Sequence, residues 1–374
     1  MRKKNLIIFG TRPEAIKMAP LVNQFLADDR FETKICVTGQ HREMLDQVLS
    51  FFDITPDFDL SLMKPNQNLY NLTGEVISGL KSILESFSPN YVYVHGDTTT
   101  TMAASIAGFY SGAIVCHVEA GLRTNNMLSP FPEEMNRQVA GRIATYHFAP
   151  TVKSQENLLK ENILKENILV TGNTVIDALL ESSKRVGNLE NEEVLDLKKN
   201  VNFQNKILLV TGHRRENHGQ GFINICAALK EIALNNPKVE IIYPVHLNPN
   251  VLKPVNKLLG GVSNIHLVKP LSYPSFVWLM NQSYLIITDS GGVQEEAPSL
   301  GKPVLVMRDT TERPEAVESG TVILVGTDTA KIIEETNKLL NNPLAYDKMS
   351  ALHNPYGDGK ACKRIINFIA QQTN

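Results

Sequence analysis

The chain lacks the features that would place it in a membrane, on nucleic acid or in an oxidising compartment. Its 37 basic and 39 acidic residues leave a net charge of -2, so no global field attracts nucleic acid or an anionic membrane. No apolar run approaches the ~18 residues of a membrane span. The four cysteines are widely spaced and form no C-x-x-C pair, which predicts reduced thiols in a cytoplasmic protein.

Two nucleotide-binding signatures are also absent. The nearest match to G-x-G-x-x-G, which begins at Gly219 and Gly221, has Asn224 in place of the third glycine, and this argues against a tightly bound NAD. A G-x-x-x-x-G-K-[ST] loop is missing, which argues against a P-loop nucleotide hydrolase. The apolar part of MRKKNLIIFG is too short for a signal peptide, so we predict a first strand there.

What is present is an alternation of short β-rich runs with amphipathic helical patterns, which is typical of βαβ units. The pattern restarts after a polar segment at 186–205, and this predicts two Rossmann-like parallel-sheet α/β domains facing across a cleft. The predicted domains are 1–172 with 358–374, and 173–357. The last helical stretch, 360–371, has an apolar face suited to packing on the first domain. The predicted strands are 5–9, 33–38, 91–94, 113–118 and 145–149 in the first half, and 207–211, 239–245, 265–268, 285–288, 303–306 and 322–325 in the second.

Three acidic residues follow apolar runs or turns in the first half: Asp97 in HGDTTTT, Glu119 in HVEAGLRT and Glu133 in SPFPEEMNR. Carboxylates at the ends of buried strands are suited to general acid and base chemistry. For Asp97 or Glu119 taken alone, a helix cap or an ion pair to Arg123, Arg137 or Arg142 is the better explanation. Their joint placement in one domain predicts that they converge on one point.

The first strand ends in Gly10-Thr11-Arg12-Pro13-Glu14, with Lys17 one turn further on. Pro13 suits the first helical position, while Arg12 and Lys17 add positive charge beside backbone N–H groups. The stretch is consistent with an anion site and, equally, with an ordinary capped turn carrying solvated bases.

A second candidate anion site is the sequence from Thr288 to Glu296. Gly291 and Gly292 remove side chains where a diphosphate would approach a helix N-terminus. Glu296, one helical turn later, is placed to accept hydrogen bonds from a ribose diol. The alternative is a helix capped by Ser290.

His213, Arg214 and Arg215 follow the run KILLVTG. A lone histidine here would more often be structural, but with two guanidiniums beside it we expect the group to face a leaving phosphate. Neighbouring arginines disfavour the imidazolium and a bound diphosphate would favour it. The local sequence assigns no chemistry to His41, His95, His117 or His246.

Eight segments, in order, resemble the non-hydrolysing UDP-N-acetylglucosamine 2-epimerase family over nearly the whole chain: GTRPEAIKMAPL, HGDTTTT, HVEAGLRT, SPFPEEMNR, TGHRREN, YPVHLNP, TDSGGVQEEAPSLGKPVL and RDTTERPEA. The resemblance implies a glycosyltransferase-B-like fold, a homodimer and reversible C2 epimerisation of UDP-N-acetylglucosamine to UDP-N-acetylmannosamine, without NAD, another cofactor or a metal. It also implies a role in supplying cell-surface polysaccharide synthesis. UDP elimination to a 2-acetamidoglucal, followed by re-addition, is the expected mechanism, with the carboxylates in the first domain and UDP on the second.

Carried over by position, the resemblance assigns roles to individual residues. Phe276 and Arg313 come from it alone, and Leu271 stands where some members have a polar residue, so a uracil contact there would use the backbone. The implied catalytic residues are Asp97, Glu119, Glu133 and His213, and the implied substrate-binding residues are Arg12, Lys17, Asp97, Glu119, His213, Leu271, Phe276, Ser290, Gly291, Gly292, Glu296 and Arg313.

Some bacterial members bind a second substrate molecule as an activator. Gln40, His41, Arg214 and His246, together with Glu133, match that second site. Glu43 and Asn66 stand where those members have Gln and Arg, and the loss of a guanidinium removes a phosphate partner. Three alternatives to the epimerase remain open from the sequence: a UDP-sugar glycosyltransferase of the same fold, a hydrolysing epimerase that releases N-acetylmannosamine, and a non-catalytic nucleotide-sugar sensor.

Overall fold

Two parallel β-sheets organise the chain, which a computed structural model describes over residues 2–39, 42–62 and 67–372, without the side chains of residues 42 and 43. The chain divides into two units, Met1–Ala178 with Tyr356–Asn374, and Leu179–Pro355. Each unit has its own sheet, with helices between successive strands. The predicted fold class of two parallel-sheet α/β domains is therefore confirmed.

The sheet of the first unit has the strand order β3-β2-β1-β4-β5-β6-β7, and every pairing is parallel. Its strands are β1 (Lys3–Phe9), β2 (Phe31–Val37), β3 (Phe58–Asp59), β4 (Tyr91–His95), β5 (Ile114–Val118), β6 (Tyr146–Ala149) and β7 (Ile168–Val170). Its helices are α1 (Arg12–Leu26), α2 (Arg42–Phe51), α3 (Leu69–Phe87), α4 (Thr99–Tyr110), α5 (Glu133–Ile143), α6 (Val152–Lys160) and the start of α7 (Thr174–Arg185).

The sheet of the second unit has the order β10-β9-β8-β11-β12-β13 and is also parallel. Its strands are β8 (Lys206–Thr211), β9 (Val239–Pro244), β10 (Ile265–Val268), β11 (Leu285–Thr288), β12 (Val304–Val306) and β13 (Val322–Leu324). Its helices are α8 (Glu192–Asn200), α9 (Gln220–Asn235), α10 (Pro249–Leu259), α11 (Tyr273–Gln282), α12 (Gly291–Glu296), α13 (Pro314–Glu318), α14 (Thr329–Asn341) and α15 (Pro343–Ser350). The last helix, α16 (Ala361–Gln371), belongs to the first unit.

The central strands are apolar along their length because helices cover both faces of a parallel sheet. In β1 the side chains from Leu6 to Phe9 are fully buried, and in β8 those from Ile207 to Val210 are buried. Leu6, Ile8 and Val92 share one cluster with α3 and α4, and Leu208 and Val210 share another with α9. Continuous burial of this kind fixes the register of the strands and hence the position of the loops that follow them.

Each sheet has a switch point, where neighbouring strands are not consecutive in the chain. β1 lies beside β4 in the first unit, and β8 lies beside β11 in the second. Loops at the carboxyl ends of such strands form the usual ligand-binding crevice of an open α/β sheet. The loops at these two positions contain Arg12, Asp97, His213 and Ser290, so the fold gathers predicted site residues at the switch point of each sheet.

The predicted C-terminal helix is confirmed as α16. It packs in the first unit, where Phe368 meets Tyr146 edge to face at 5.1 Å between ring centroids, and Lys3 donates to the carbonyl of Ile369 at 2.7 Å.

All four cysteines lie within the described residues, each is buried and none forms a disulfide. In the part of the chain that the structure describes, no helix combines the length and the apolar character needed to span a bilayer.

Candidate active site

Asp97 lies two residues beyond the end of β4, after Gly96 turns the backbone with a φ of +67°. Its Oδ2 accepts a hydrogen bond from Nη2 of Arg137 at 2.6 Å, and its backbone carbonyl accepts one from the side-chain Nδ2 of Asn136 at 3.0 Å. Both partners lie on α5, so this helix fixes the acid at the carboxyl edge of the sheet. The ion pair with Arg137 is one of the partners that the sequence left open for this residue.

Burial raises the pKa of Asp97 above its ordinary value. The Arg137 guanidinium opposes that shift, while the negative charges of Glu119 and Glu133 add to it. Glu119 follows the neighbouring strand β5, and Glu133 opens α5, the helix whose residues bond to Asp97, so the three predicted carboxylates belong to the same edge of the first sheet. A carboxyl group with a raised pKa holds a proton more readily than ordinary Asp, which suits acid and base chemistry near neutral pH.

Glu119 follows β5 directly and has a φ of +59°. A left-handed backbone at a residue other than glycine, asparagine or aspartate is uncommon, and it persists where surrounding contacts hold it. Oε2 of Glu119 accepts hydrogen bonds from Nζ of Lys17 at 2.5 Å and from Nδ2 of Asn173 at 2.8 Å. The side chain is thus held by residues from α1 and from the segment that leads into α7.

Glu133 is the first residue of α5 and is half-buried. The next residue, Glu134, is fully buried and accepts hydrogen bonds from the backbone N–H groups of Thr124 and Asn125, both at 3.0 Å. Glu134 thus anchors the preceding loop, whereas the charge of its neighbour Glu133 contributes to the raised pKa of Asp97.

The turn after β1 is organised by Glu14. Its Oε2 accepts the backbone N–H groups of Gly10 at 3.0 Å and Thr11 at 2.8 Å, and its Oε1 accepts the Thr98 hydroxyl at 2.6 Å. These two N–H groups belong to the turn that was predicted to bind an anion, and they bond to a carboxylate of the protein itself. Lys17, the predicted cation of the same turn, bonds to a different protein carboxylate, that of Glu119. Sequence reasoning missed this role of Glu14, although Thr11 and Glu14 match the spacing of a capping box.

Two histidines support the same edge of the sheet without carrying charge. Burial lowers the pKa of His95 and of His117 to about 4 in each case. A ring nitrogen of His117 donates to the carbonyl of Gly96 at 2.7 Å, next to Asp97. Nε2 of His95 lies 3.8 Å from Oε2 of Glu119; because the ring is neutral near pH 7, this contact is not an ion pair.

In the second unit, His213 follows β8 and is placed by Asp289 at the end of β11. The buried Oδ2 of Asp289 accepts the backbone N–H groups of His213 at 2.9 Å and Arg214 at 2.8 Å, and its Oδ1 lies 3.5 Å from Nδ1 of the His213 ring. Asp289 was not among the residues predicted from the sequence to have a role. Its contacts cross from β11 to the neighbouring loop, and local sequence spacing carries no signal for them.

Burial lowers the pKa of His213, and the carboxylate of Asp289 opposes that shift. Arg214 and the ring of His246 lower it further, and the two imidazoles stack with centroids 5.5 Å apart. The side chain of His213 is nevertheless 45% exposed. This ring therefore can meet a ligand, and a bound anion would favour its protonated form.

Ser290 precedes α12, and among the described residues the first N–H groups of this helix donate no hydrogen bond to its side chain. A Cβ atom on Gly291 would lie 3.6 Å from Cζ of Arg313 and 3.7 Å from Nη2 of Arg214. Two guanidiniums therefore lie beside the backbone at the helix start. This arrangement of N–H groups and positive charge is suited to a diphosphate.

The remaining predicted residues of the second unit are Glu296, Leu271 and Phe276. A carboxylate oxygen of Glu296 is 3.8 Å from where a Cβ on Gly292 would be, one helical turn away, as predicted for a group beside the glycines. Leu271 lies in the loop between β10 and α11, Phe276 lies on α11, and both are half-buried.

Of the predicted second site, Arg214 and His246 lie near His213 in the second unit. Arg214 is 3.7 Å from a carboxylate oxygen of Glu312. Gln40, His41 and Asn66 lie outside the described residues. Within the described ranges, no three His, Cys, Asp or Glu side chains converge as metal ligands would.

Comparison with known proteins identifies the family to which this geometry corresponds. The profile of the family described as UDP-N-acetylglucosamine 2-epimerase matches residues 23–370. A UDP-N-acetylglucosamine 2-epimerase of Yersinia pestis is 58% identical over 373 residues, which cover 98% of this chain and 98% of that protein.

Solved structures agree with the sequence comparison. A crystal structure of UDP-GlcNAc 2-epimerase from Neisseria meningitidis bound to UDP-GlcNAc is 51% identical, with a TM-score of 0.88 over 99% of this chain and 100% of that chain. A structure of S. aureus MnaA with UDP is 44% identical, with a TM-score of 0.84 over 98% of this chain and 96% of that chain.

Proposed function

This chain belongs to the UDP-N-acetylglucosamine 2-epimerase family and is an isomerase with the glycosyltransferase-B-like fold; from this premise we propose that it interconverts UDP-N-acetylglucosamine and UDP-N-acetylmannosamine reversibly, without releasing free sugar. The observation that carries the proposal is the placement of three carboxylates at the carboxyl edge of the first sheet: Asp97 follows β4, Glu119 follows the adjacent β5, and Glu133 opens α5, whose residues bond to Asp97. Epimerisation at C2 removes a proton from one face and returns one to the other, and a group of carboxylates supplies more than one acid or base for that purpose.

The hydrogen on C2 is not adjacent to a carbonyl group, so direct removal by a carboxylate would be too slow. We propose that the C1–O bond to UDP breaks first or at the same time, with the bonding electron pair leaving on the diphosphate. Developing positive charge at C1 then acidifies C2–H, and a carboxylate takes the proton while the C–H electrons form the C1=C2 bond of a 2-acetamidoglucal. Return of a proton to the other face of C2 and re-addition of UDP at C1 complete the epimerisation.

The departing diphosphate requires positive charge and hydrogen-bond donors. The proposed donors are the start of α12 at Ser290, Gly291 and Gly292, with the guanidiniums of Arg214 and Arg313 beside Gly291. His213 becomes more basic when an anion binds, because the anion's charge offsets the burial that lowers its pKa. The imidazolium would then stabilise the leaving group.

Further parts of the proposal come from the resemblance and from the relatives. We propose that the substrate contacts Arg12, Lys17, Leu271, Phe276 and Glu296, and that UDP stays bound as the leaving group until it adds back. We also propose that the protein is a homodimer, that it is cytoplasmic and that it supplies cell-surface polysaccharide synthesis. Solved structures of relatives support the ligands, since the Neisseria meningitidis enzyme is bound to UDP-GlcNAc and S. aureus MnaA is bound to UDP.

Proton NMR of the purified protein with UDP-N-acetylglucosamine tests the proposal. The expected result is an equilibrium mixture of two UDP-linked sugars, reached also from UDP-N-acetylmannosamine. Free N-acetylmannosamine as the main product would show a hydrolysing epimerase, and turnover only with an added acceptor sugar would show a glycosyltransferase. Binding of the substrate without any turnover would show a sensor.

A further inference from the structure

Asn173 has a buried side chain with both ends of its amide in use. It is 2% exposed, its Oδ1 accepts the backbone N–H of Val175 at 3.1 Å, and its Nδ2 donates to Oε2 of Glu119 at 2.8 Å. Its own backbone N–H donates to the carbonyl of Tyr356 at 2.7 Å. The bond to Val175 fixes which end of the amide is the oxygen, so the end that faces Glu119 is the donor.

Lys17 and Asn173 both donate hydrogen bonds to Oε2 of Glu119. The Lys17 ammonium and the Asn173 amide N–H are donors only, and both therefore fit a carboxylate rather than a protonated acid. Oε1 of Glu119 lies 3.6 Å from where a Cβ on Gly96 would be, so the carboxylate extends over the residue that precedes Asp97. The bonds at Oε2 thus direct the side chain toward the other acid.

The backbone of Glu119 gives a second reason why this contact matters. Its φ of +59° lies in the left-handed region, which is unfavourable for a glutamate relative to an ordinary backbone conformation. A strained residue at the end of a strand needs fixed partners if its carboxylate is to stay in one place. Asn173 is such a partner, since its side chain is held at both ends.

We propose that Asn173 is a positioning residue for the epimerisation, which holds the Glu119 carboxylate in its reactive orientation and in its ionised form. The inference rests on the proposed function, because it assumes that Glu119 takes part in proton transfer. Nothing in the chemistry requires Asn173 to touch the substrate, and its role is exerted through Glu119.

The charges around Glu119 determine what a change at Asn173 would do. Lys17 on α1 is the bonded cation, Asp97 after β4 is the neighbouring acid, and His95 on β4 and His117 on β5 are neutral because burial lowers each pKa to about 4. A carboxylate in place of the Asn173 amide would add a second negative charge against Glu119. Repulsion of this kind raises the pKa of the acid that feels it.

The Asn173→Asp variant separates this role from helix capping. One carboxylate oxygen of aspartate still accepts the N–H of Val175, so the start of α7 is preserved, but the donor to Glu119 is lost. We expect kcat to fall about 10- to 100-fold, as for a small displacement of a reacting group, with KM for UDP-N-acetylglucosamine within about threefold of the wild type. We also expect the acidic limb of the kcat profile to move to higher pH, by about one unit.

Asn173→Ser is the second variant, in case the aspartate protein folds poorly. Serine also caps a helix but is too short to reach Glu119, so kcat should fall without the upward shift of the acidic limb. Asn191 provides the matched control, because its Oδ1 accepts the N–H of Val194 at 3.0 Å and its Nδ2 donates to the Ser275 hydroxyl at 2.8 Å, in the second unit. Asn191→Asp and Asn191→Ser should leave kcat and the pH profile unchanged.

The outcomes distinguish this inference from the proposed function. If the wild-type protein forms no UDP-linked epimer, the proposed function fails. If the wild type is active and both folded Asn173 variants keep its kcat and pH profile, the positioning role is overturned. Equal losses in the Asn173 and Asn191 variants would also overturn it, since they would reveal a general effect on stability.

Discussion

Replacement of Gly291 by alanine tests the proposed diphosphate site with a single methyl group. The added Cβ would lie 3.6 Å from Cζ of Arg313 and 3.7 Å from Nη2 of Arg214, which is ordinary van der Waals contact, and Gly291 is not among the glycines with positive φ. The variant should therefore fold. Because alanine is a better helix former than glycine, the free energy of unfolding should stay the same or rise by up to about 1 kcal/mol.

The same methyl group should weaken the binding of UDP. It occupies space beside the first N–H groups of α12, where phosphate oxygens would approach between the helix end and the two guanidiniums. Weakening one charge-assisted hydrogen bond costs about 1.5–3 kcal/mol, which corresponds to a rise of about 10- to 100-fold in Kd. Stability and affinity should thus change in opposite directions, a combination that general damage to the fold does not produce.

Isothermal titration calorimetry with UDP and thermal unfolding measure the two quantities. Gly74→Ala is the matched control: Gly74 lies within α3, and a Cβ there would meet nothing within 4 Å. That variant should gain similar stability and bind UDP as the wild type does. A folded Gly291→Ala protein with unchanged Kd for UDP would refute the placement of the diphosphate at this helix.

Two further predictions concern proton transfer and acid stability. Asp97→Asn keeps an oxygen for the bond to Arg137 but cannot exchange a proton, so kcat should fall by about 10²- to 10⁴-fold while Kd for UDP stays within about threefold; near-normal kcat would remove Asp97 from the catalytic group. Burial lowers the pKa of His147 to about 3, so below pH ~6.5 the unfolded chain takes up a proton there that the folded chain does not. As the pH is lowered from ~6.5 to 4, the free energy of unfolding of the wild type should therefore fall relative to that of His147→Gln, by about 1.4 kcal/mol per pH unit. Urea unfolding of both proteins at pH 7.5, 5.5 and 4.5 measures this difference, and a difference that does not change with pH would contradict the prediction.

The sequence predicted the alternation of strands and helices well because the central strands are continuous apolar runs. The strands that it missed, β3 (Phe58–Asp59) and β7 (Ile168–Val170), are the two outermost strands of the first sheet and have two and three residues. Length alone does not explain the miss, because β12 and β13 also have three residues and were predicted. The two missed strands form where the neighbouring strand offers an edge, which is a property of the folded sheet.

The predicted acids and the glycine pair were visible because their signals are local: each follows an apolar run or opens a helix. The supporting residues are partners across the fold. Asn173 is 54 positions from Glu119 and Asp289 is 76 positions from His213 along the chain, so no spacing rule connects them. Lys17 illustrates the same limit, because its charge suggested an anion site and the structure shows it bonded to Glu119.

Incubation with UDP-N-acetylglucosamine in heavy water is the most direct test of proton transfer at C2 by the carboxylate group. The account predicts that UDP-N-acetylmannosamine forms with deuterium at C2, that the recovered substrate also gains deuterium there, and that the Asp97→Asn variant slows both exchanges. Epimerisation with full retention of the original C2 hydrogen would contradict elimination through a glucal and the catalytic role given to Asp97, Glu119 and Glu133.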